Sequence, residues 1–139
     1  MLRCAKEFID LLTSKDLNFD VKETTDKDGD EKIIVSFPYH QKTTKIVFTG
    51  DMGEYAMFYV IFENVPDDKY ADVLLTCNDL NMKYKWCTFY IDDDKDIMDT
   101  YNAILTPGNA GEVAFEILVR MNQILDDAKA PFMRALYSL

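Results

Sequence analysis

Hydrophobic and polar residues alternate with two periods along this chain, and the changes of period mark its elements. Leu2, Ala5, Phe8 or Ile9, and Leu12 recur at helical spacing, with Arg3, Lys6, Glu7 and Asp10 between them, which predicts a helix over 2–14. From Leu17 to Glu23 the period drops to two. Leu17, Phe19 and Val21 alternate with Asn18, Asp20 and Lys22, as in a strand with one wet face. TTDKDGDEK follows, and its Asp28-Gly29 is a hairpin signal. Further strands are predicted at Ile33–Tyr39, ended near Pro38, and at Thr44–Thr49, turned back by GDMG. Glu54–Glu63 is apolar in both registers, so it reads as a central strand covered on both sides.

Pro66, with Asp67 and Asp68 behind it, opens a second helix. Tyr70, Val73, Leu74, Cys77 and Leu80 mark its buried side, and it stops near Asn81-Met82. Tyr84–Ile91 reads as a fifth strand that reverses through Asp92-Asp93-Asp94-Lys95 into a sixth, Asp96–Leu105. In the fifth strand Trp86 is expected to share a face with Tyr84, Thr88 and Tyr90, opposite Cys87, Phe89 and Ile91. Pro107-Gly108 ends the sixth strand. Asn109 with Glu112 has the spacing of a capping box for a long last helix, whose inner face carries Val113, Ile117, Met121, Ile124 and Leu125. Pro131 is expected to kink that helix or to start a separate final turn. The order α-β-β-β-β-α-β-β-α predicts an α+β fold with a mostly antiparallel sheet of about six strands and three helices. Without repeats or linkers, residues 1–139 read as a single domain.

Charge narrows the partners. Twenty-five Asp and Glu against 15 Lys and Arg leave a net charge of −10, which disfavours nucleic acid and anionic membrane surfaces. The first residues have Lys6, Glu7 and Asp10 where a signal peptide needs an unbroken apolar run. The longest strongly apolar stretch, Tyr55–Phe62, falls far short of the ~20 residues of a membrane helix. Cys4, Cys77 and Cys87 form an odd set without a CxxC, as expected for buried, inert thiols in a reducing cytoplasm.

No constellation of catalytic residues is visible, and the chain is expected to be non-enzymatic and to need no cofactor. Asp26, Asp28 and Asp30 beside Gly29 resemble a calcium loop but fail its spacing. Counting from Asp26, the glycine falls at position 4 instead of 6, and Phe37 stands where a bidentate Glu is needed. Asp92, Asp93, Asp94 and Asp96 are the densest acidic cluster. With no distant ligand in view, they read as a charged tip that discourages edge-to-edge pairing. His40, the only histidine, has no Cys or Asp at ligand spacing. No phosphate-binding loop, HExxH or GxSxG occurs. No metal, cofactor or catalytic residue is therefore assigned. If all three helices cover one face of the sheet, the aromatic residues of the fourth and fifth strands leave the other face partly apolar. Such a face is expected to serve a homodimer or a partner segment.

CNDLN, followed by Trp86, Phe89 and the acidic hairpin IDDDKDI, resembles the YbjN family of small bacterial proteins, and DDAKAPFMRALY around Pro131 is similar to that family's ending. The resemblance covers nearly the whole chain. It implies a fold similar to type III secretion chaperones, in which an α/β domain often dimerises and binds a segment of another protein. It also implies a sensory-transduction or regulatory role with no agreed enzymatic activity, so no catalytic residues carry over. Lys95 stands where a glycine is common in the family, which puts the tip geometry in question. Asn78 and Asn81 are expected to hydrogen-bond orphan carbonyls at the helix end. The resulting expectation is a protein-binding regulatory module. The alternative is a small-molecule sensor with a pocket between the last helix and the sheet.

Overall fold

The computed structural model describes residues 1–138. It is α+β in the expected order: α1 Arg3–Ser14, β1 Asp20–Thr25, β2 Glu31–Tyr39, β3 Lys42–Thr49, β4 Tyr55–Asn64, α2 Tyr70–Lys83, β5 Thr88–Ile91, β6 Asp96–Ile104 and α3 Ala110–Tyr137. The strands form one open sheet in the order β1-β2-β3-β4-β6-β5, antiparallel at every pair. No helix among the described residues is long and apolar enough to cross a membrane.

The core follows from the period-two pattern. Ile33 and Val35 of β2, Ile46 and Phe48 of β3, Ala56, Phe58, Val60 and Phe62 of β4, Phe89 of β5 and Ile97 of β6 all lie on one face, and they form one buried cluster with residues from all three helices. Phe8 of α1 packs on Phe48, and Phe132 of α3 packs on Phe62 and Phe89. The helices thus form a single layer. β4 is central, as its double apolar pattern predicts, but it is covered on one face only. Met57, Ile61 and Tyr55 on its other face are exposed.

The long helix begins differently from the expected capping box. Asn109 occupies the N-cap position without a side-chain cap bond. Glu7 of α1 does the work instead. Its carboxylate accepts the Gly108 amide (2.9 and 3.0 Å) and the Ala110 amide (3.1 Å), placing negative charge at the positive end of the α3 dipole. The two helices touch closely there, because a Cβ at Gly111 would lie 2.6 Å from the Glu7 carbonyl oxygen.

Several boundaries differ from expectation. Pro131 neither breaks α3 nor starts a new element. Its missing N–H orphans only the carbonyl of Asp127, an exposed residue that water can satisfy. Val113 is exposed, and Ala114, Leu118, Ala128 and Phe132 complete the buried face instead. A 3-10 turn, Asp67–Lys69, precedes α2, and Leu74 lies outside its buried stripe. β1 starts at Asp20. Leu17 and Phe19 pack against the core from the connecting segment.

Candidate functional site

The residues singled out by sequence fall into three places. The first is the acidic hairpin between β5 and β6. Asp92 Oδ1 accepts the amides of Asp94 (3.0 Å) and Asp96 (2.9 Å), and Asn64 Nδ2 donates to Asp96 Oδ1 (3.0 Å). Asp92, Asp94 and Asp96 bring carboxylate oxygens within 4.8 Å of one another, and those bonds account for the clustering. The β1–β2 tip is built the same way. Asp26 Oδ1 accepts the amides of Asp28 and Asp30, and Gly29 takes the left-handed position with φ 84°. In the β5–β6 tip Lys95 occupies that position with φ 65°. Lys95 therefore keeps the tip geometry that Gly29 has in the other hairpin, at a cost of about 1 kcal/mol for a side chain in that region.

The second place is β5 and its approach. Trp86 does not enter the strand, because the ladder begins at Thr88 opposite Thr100. It crosses to the helix side of the sheet and leans on Tyr101 (6.1 Å between rings), with the Arg120 guanidinium 5.9 Å from its own ring, and 44% of its surface stays exposed. Asn81 has a role that helix-end reasoning missed. Its side-chain amide donates to the Phe89 carbonyl (2.9 Å) and accepts the Phe89 amide (2.7 Å), serving as a strand partner for the outer edge of β5.

Beneath β5 lies an unexpected group. Asp99 of β6 is on the covered face, paired in register with Phe89 and Val60, at 0% exposure. Among the described residues, neither carboxylate oxygen has a hydrogen-bond partner. Burial pushes its pKa up to about 7, and only the neighbouring Cys87 thiol acts the other way. The thiols of Cys77 and Cys87 are also raised by burial, Cys77 to about 11, so both are neutral and poor nucleophiles at neutral pH. Asp99 falls at an inward position of an alternating strand, and that register was its only sequence signal.

The third place comprises two surfaces. The open face of the sheet carries Val47, Met57, Tyr59, Ile61, Met98 and Ile104 as its apolar positions, with Tyr55 and Tyr90 beside them. Across the paired stretches 43–49, 55–61, 88–91 and 98–104 this face holds a single charged side chain, Lys45. On the helix side, at the end of the sheet, a cleft of about 530 Å³ opens between the β2–β3 turn, the end of β4 and α3. Phe62, Leu125 and Met133 supply its apolar wall. Tyr39 donates to Asp126 Oδ2 (2.7 Å), and Lys42 Nζ donates to the Phe62 carbonyl while lying over the Phe62 ring. His40 is in this cleft, in a turn where both it and Gln41 adopt positive φ.

The model of the YbjN family, described as "Putative bacterial sensory transduction regulator", matches residues 6–132. No curated protein matches the chain.

Proposed function

The chain belongs to the YbjN family, and from that premise we propose that it is a non-enzymatic regulatory module that works by protein association through the open face of its sheet, first of all with a second copy of itself. The observation that supports this reading is the depletion of charge on that face. A chain with 29% charged residues and a net charge of −10 leaves one charge, Lys45, over the centre of a six-stranded sheet. Interface centres show the same depletion, with aromatic and Met side chains enriched. Six strands spaced ~4.8 Å apart and about eight residues long present roughly 700 Å², close to the ~800 Å² each partner contributes to a standard interface, with Asp20 and Lys22 of β1 and Lys32 of β2 forming a charged rim on the same face. Two copies meeting there also keep their acidic hairpin tips at the rims.

Sedimentation equilibrium over a concentration series tests it. The expected result is a dimer mass at tens of micromolar and a monomer for Met57→Glu. A wild-type monomer at every concentration would overturn self-association.

A second reading, a small-molecule sensor, is favoured by the cleft beside α3, which has the size of a ligand pocket and mixes an apolar wall with convergent polar groups. A stabilising metabolite in a thermal-shift screen, lost on substitution in the cleft, would support it.

A further inference from the structure

We infer that the cleft between the β2–β3 turn and α3 binds a small amphipathic anion, a carboxylate or phosphate monoester carried on an apolar body. This rests on the second reading above and adds the ligand's chemistry.

Two departures from regular structure meet at this cleft. The β2–β3 turn places His40 (φ 47°) and Gln41 (φ 67°) in the left-handed region. A two-residue turn needing positive φ twice ordinarily uses Asn-Gly or Gly-Gly. Side chains larger than these cost about 1 kcal/mol each there. The turn therefore keeps a histidine and an amide over the cleft where glycine would serve the backbone better. Across from it, β4 slips register between Ile61 and Asn64, which takes Phe62 and Glu63 out of the regular ladder. Bulges of this kind re-aim side chains beside functional sites. Here the bulge brings Glu63 to the cleft and leaves the Phe62 carbonyl to Lys42.

The sign of the ligand follows from which groups are already engaged. Both carboxylates hold a phenol. Asp126 accepts from Tyr39, and Glu63 accepts from Tyr137 at 3.0 Å. Each raises the pKa of its tyrosine, so the phenols stay protonated as donors. The Phe62 carbonyl is taken by Lys42. The cation left over is Lys129, and His40 and Gln41 can each donate as well as accept. Lys129 on α3 and the side chains of His40 and Gln41 form no hydrogen bond or ion pair among the described residues. An anionic head meets these donors, while an apolar body lies against Phe62, Leu125 and Met133.

The test uses the full chain labelled with nitrogen-15 and four eight-carbon probes, each below its micelle concentration: octanoate, octyl phosphate, octylamine and octyl glucoside. Octanoate or octyl phosphate should shift the amides of Gln41, Glu63, Asp126 and Lys129 saturably, and the tighter of the two identifies the head group. Lys129→Gln should weaken that binding about tenfold, the loss expected for one charge-assisted hydrogen bond, with the rest of the spectrum unchanged. Equal binding of octylamine or octyl glucoside in the cleft would overturn the anion assignment while leaving a ligand pocket. No response in the cleft to any probe would overturn the sensor reading as well. Shifts centred on Met57 and Ile104 would place the amphiphile on the open sheet face and overturn the proposal.

Discussion

Phe58 and Met57 are neighbours in β4 and lie on opposite sides of the same sheet. Phe58 is fully buried under the helices, edge-on to Tyr101, whereas Met57 is 42% exposed in a row with Val47 and Asn102. Both positions read as apolar, yet one belongs to a helix-covered core and the other to a bare surface. Hydrophobicity along a central strand records that a face is to be buried and says nothing about what buries it. On one side the chain supplies its own cover. On the other, Val47 and Met98 are shielded by their neighbours, while Tyr55, Met57, Ile61 and Ile104 stay exposed. The largest difference should appear when the two neighbours are truncated. Phe58→Ala is expected to cost about 3–5 kcal/mol. Met57→Ala should cost less than about 1 kcal/mol when measured by urea unfolding at concentrations where the chain is monomeric. Equal losses would mean that the two faces are not distinct.

Asp99 is the exception that sharpens the contrast, since it places a carboxyl group on the covered face with no hydrogen-bond partner among the described residues. Its folded-state pKa, raised to about 7, lies above the ordinary value near 3.9. The folded chain therefore holds a proton that the unfolded chain has released. Stability from this group is fully present below pH ~4 and is lost as pH rises through about 7. The difference amounts to about 4 kcal/mol in all, with about 2 kcal/mol of it falling between pH 5.5 and 8. Asp99→Asn should thus gain about 2 kcal/mol on the wild type between those two pH values, as read from urea midpoints. A constant difference across that range would show that the carboxyl is hydrated or paired in solution. Trp86 tests where the covered face ends. It lies at the flank, half-exposed, with Arg120 over its ring. Trp86→Ala should cost about 1–2 kcal/mol, well below the ~3–5 kcal/mol of a buried aromatic, and its fluorescence should be accessible to iodide.

Much of this arrangement is legible in the chain itself. Strand and helix order follow from period, and the inward face of β5 follows from Cys87, Phe89 and Ile91 alternating with Thr88 and Tyr90. Other features depend on distant residues, and local pattern carries no trace of them. The cap of α3 is Glu7, a hundred residues away in sequence. Asn81 looks like a helix-end residue and becomes a strand partner only because α2 runs beside the edge of β5. Trp86 leaves its expected alternation because the ladder starts two residues later, at Thr88. The cleft needs a turn, a bulge and the far half of α3 together; His40 and the stretch holding Asp126 and Lys129 stand out in sequence, but nothing there brings them together.

Ile104 carries the smallest expected effect and separates the faces most cleanly. At 78% exposure it is the most exposed of the large apolar side chains described, at the end of β6 and paired in register with Tyr55. Exchanging Ile104 for Ser removes no internal packing of consequence, so the stability of the monomer should stay within about 0.5 kcal/mol of the wild type. The dimer proposed for the open face buries this side chain. Loss of roughly 1–2 kcal/mol of apolar contact in each of its two symmetry-related copies should weaken self-association tenfold or more. Unfolding at low concentration, set beside sedimentation at high concentration, reads the two quantities on the same variant. An unchanged monomer with a weakened dimer places Ile104 in an interface between copies. Unchanged association would leave Ile104 outside any such contact and confine the interface to the rows of Met57 and Tyr59.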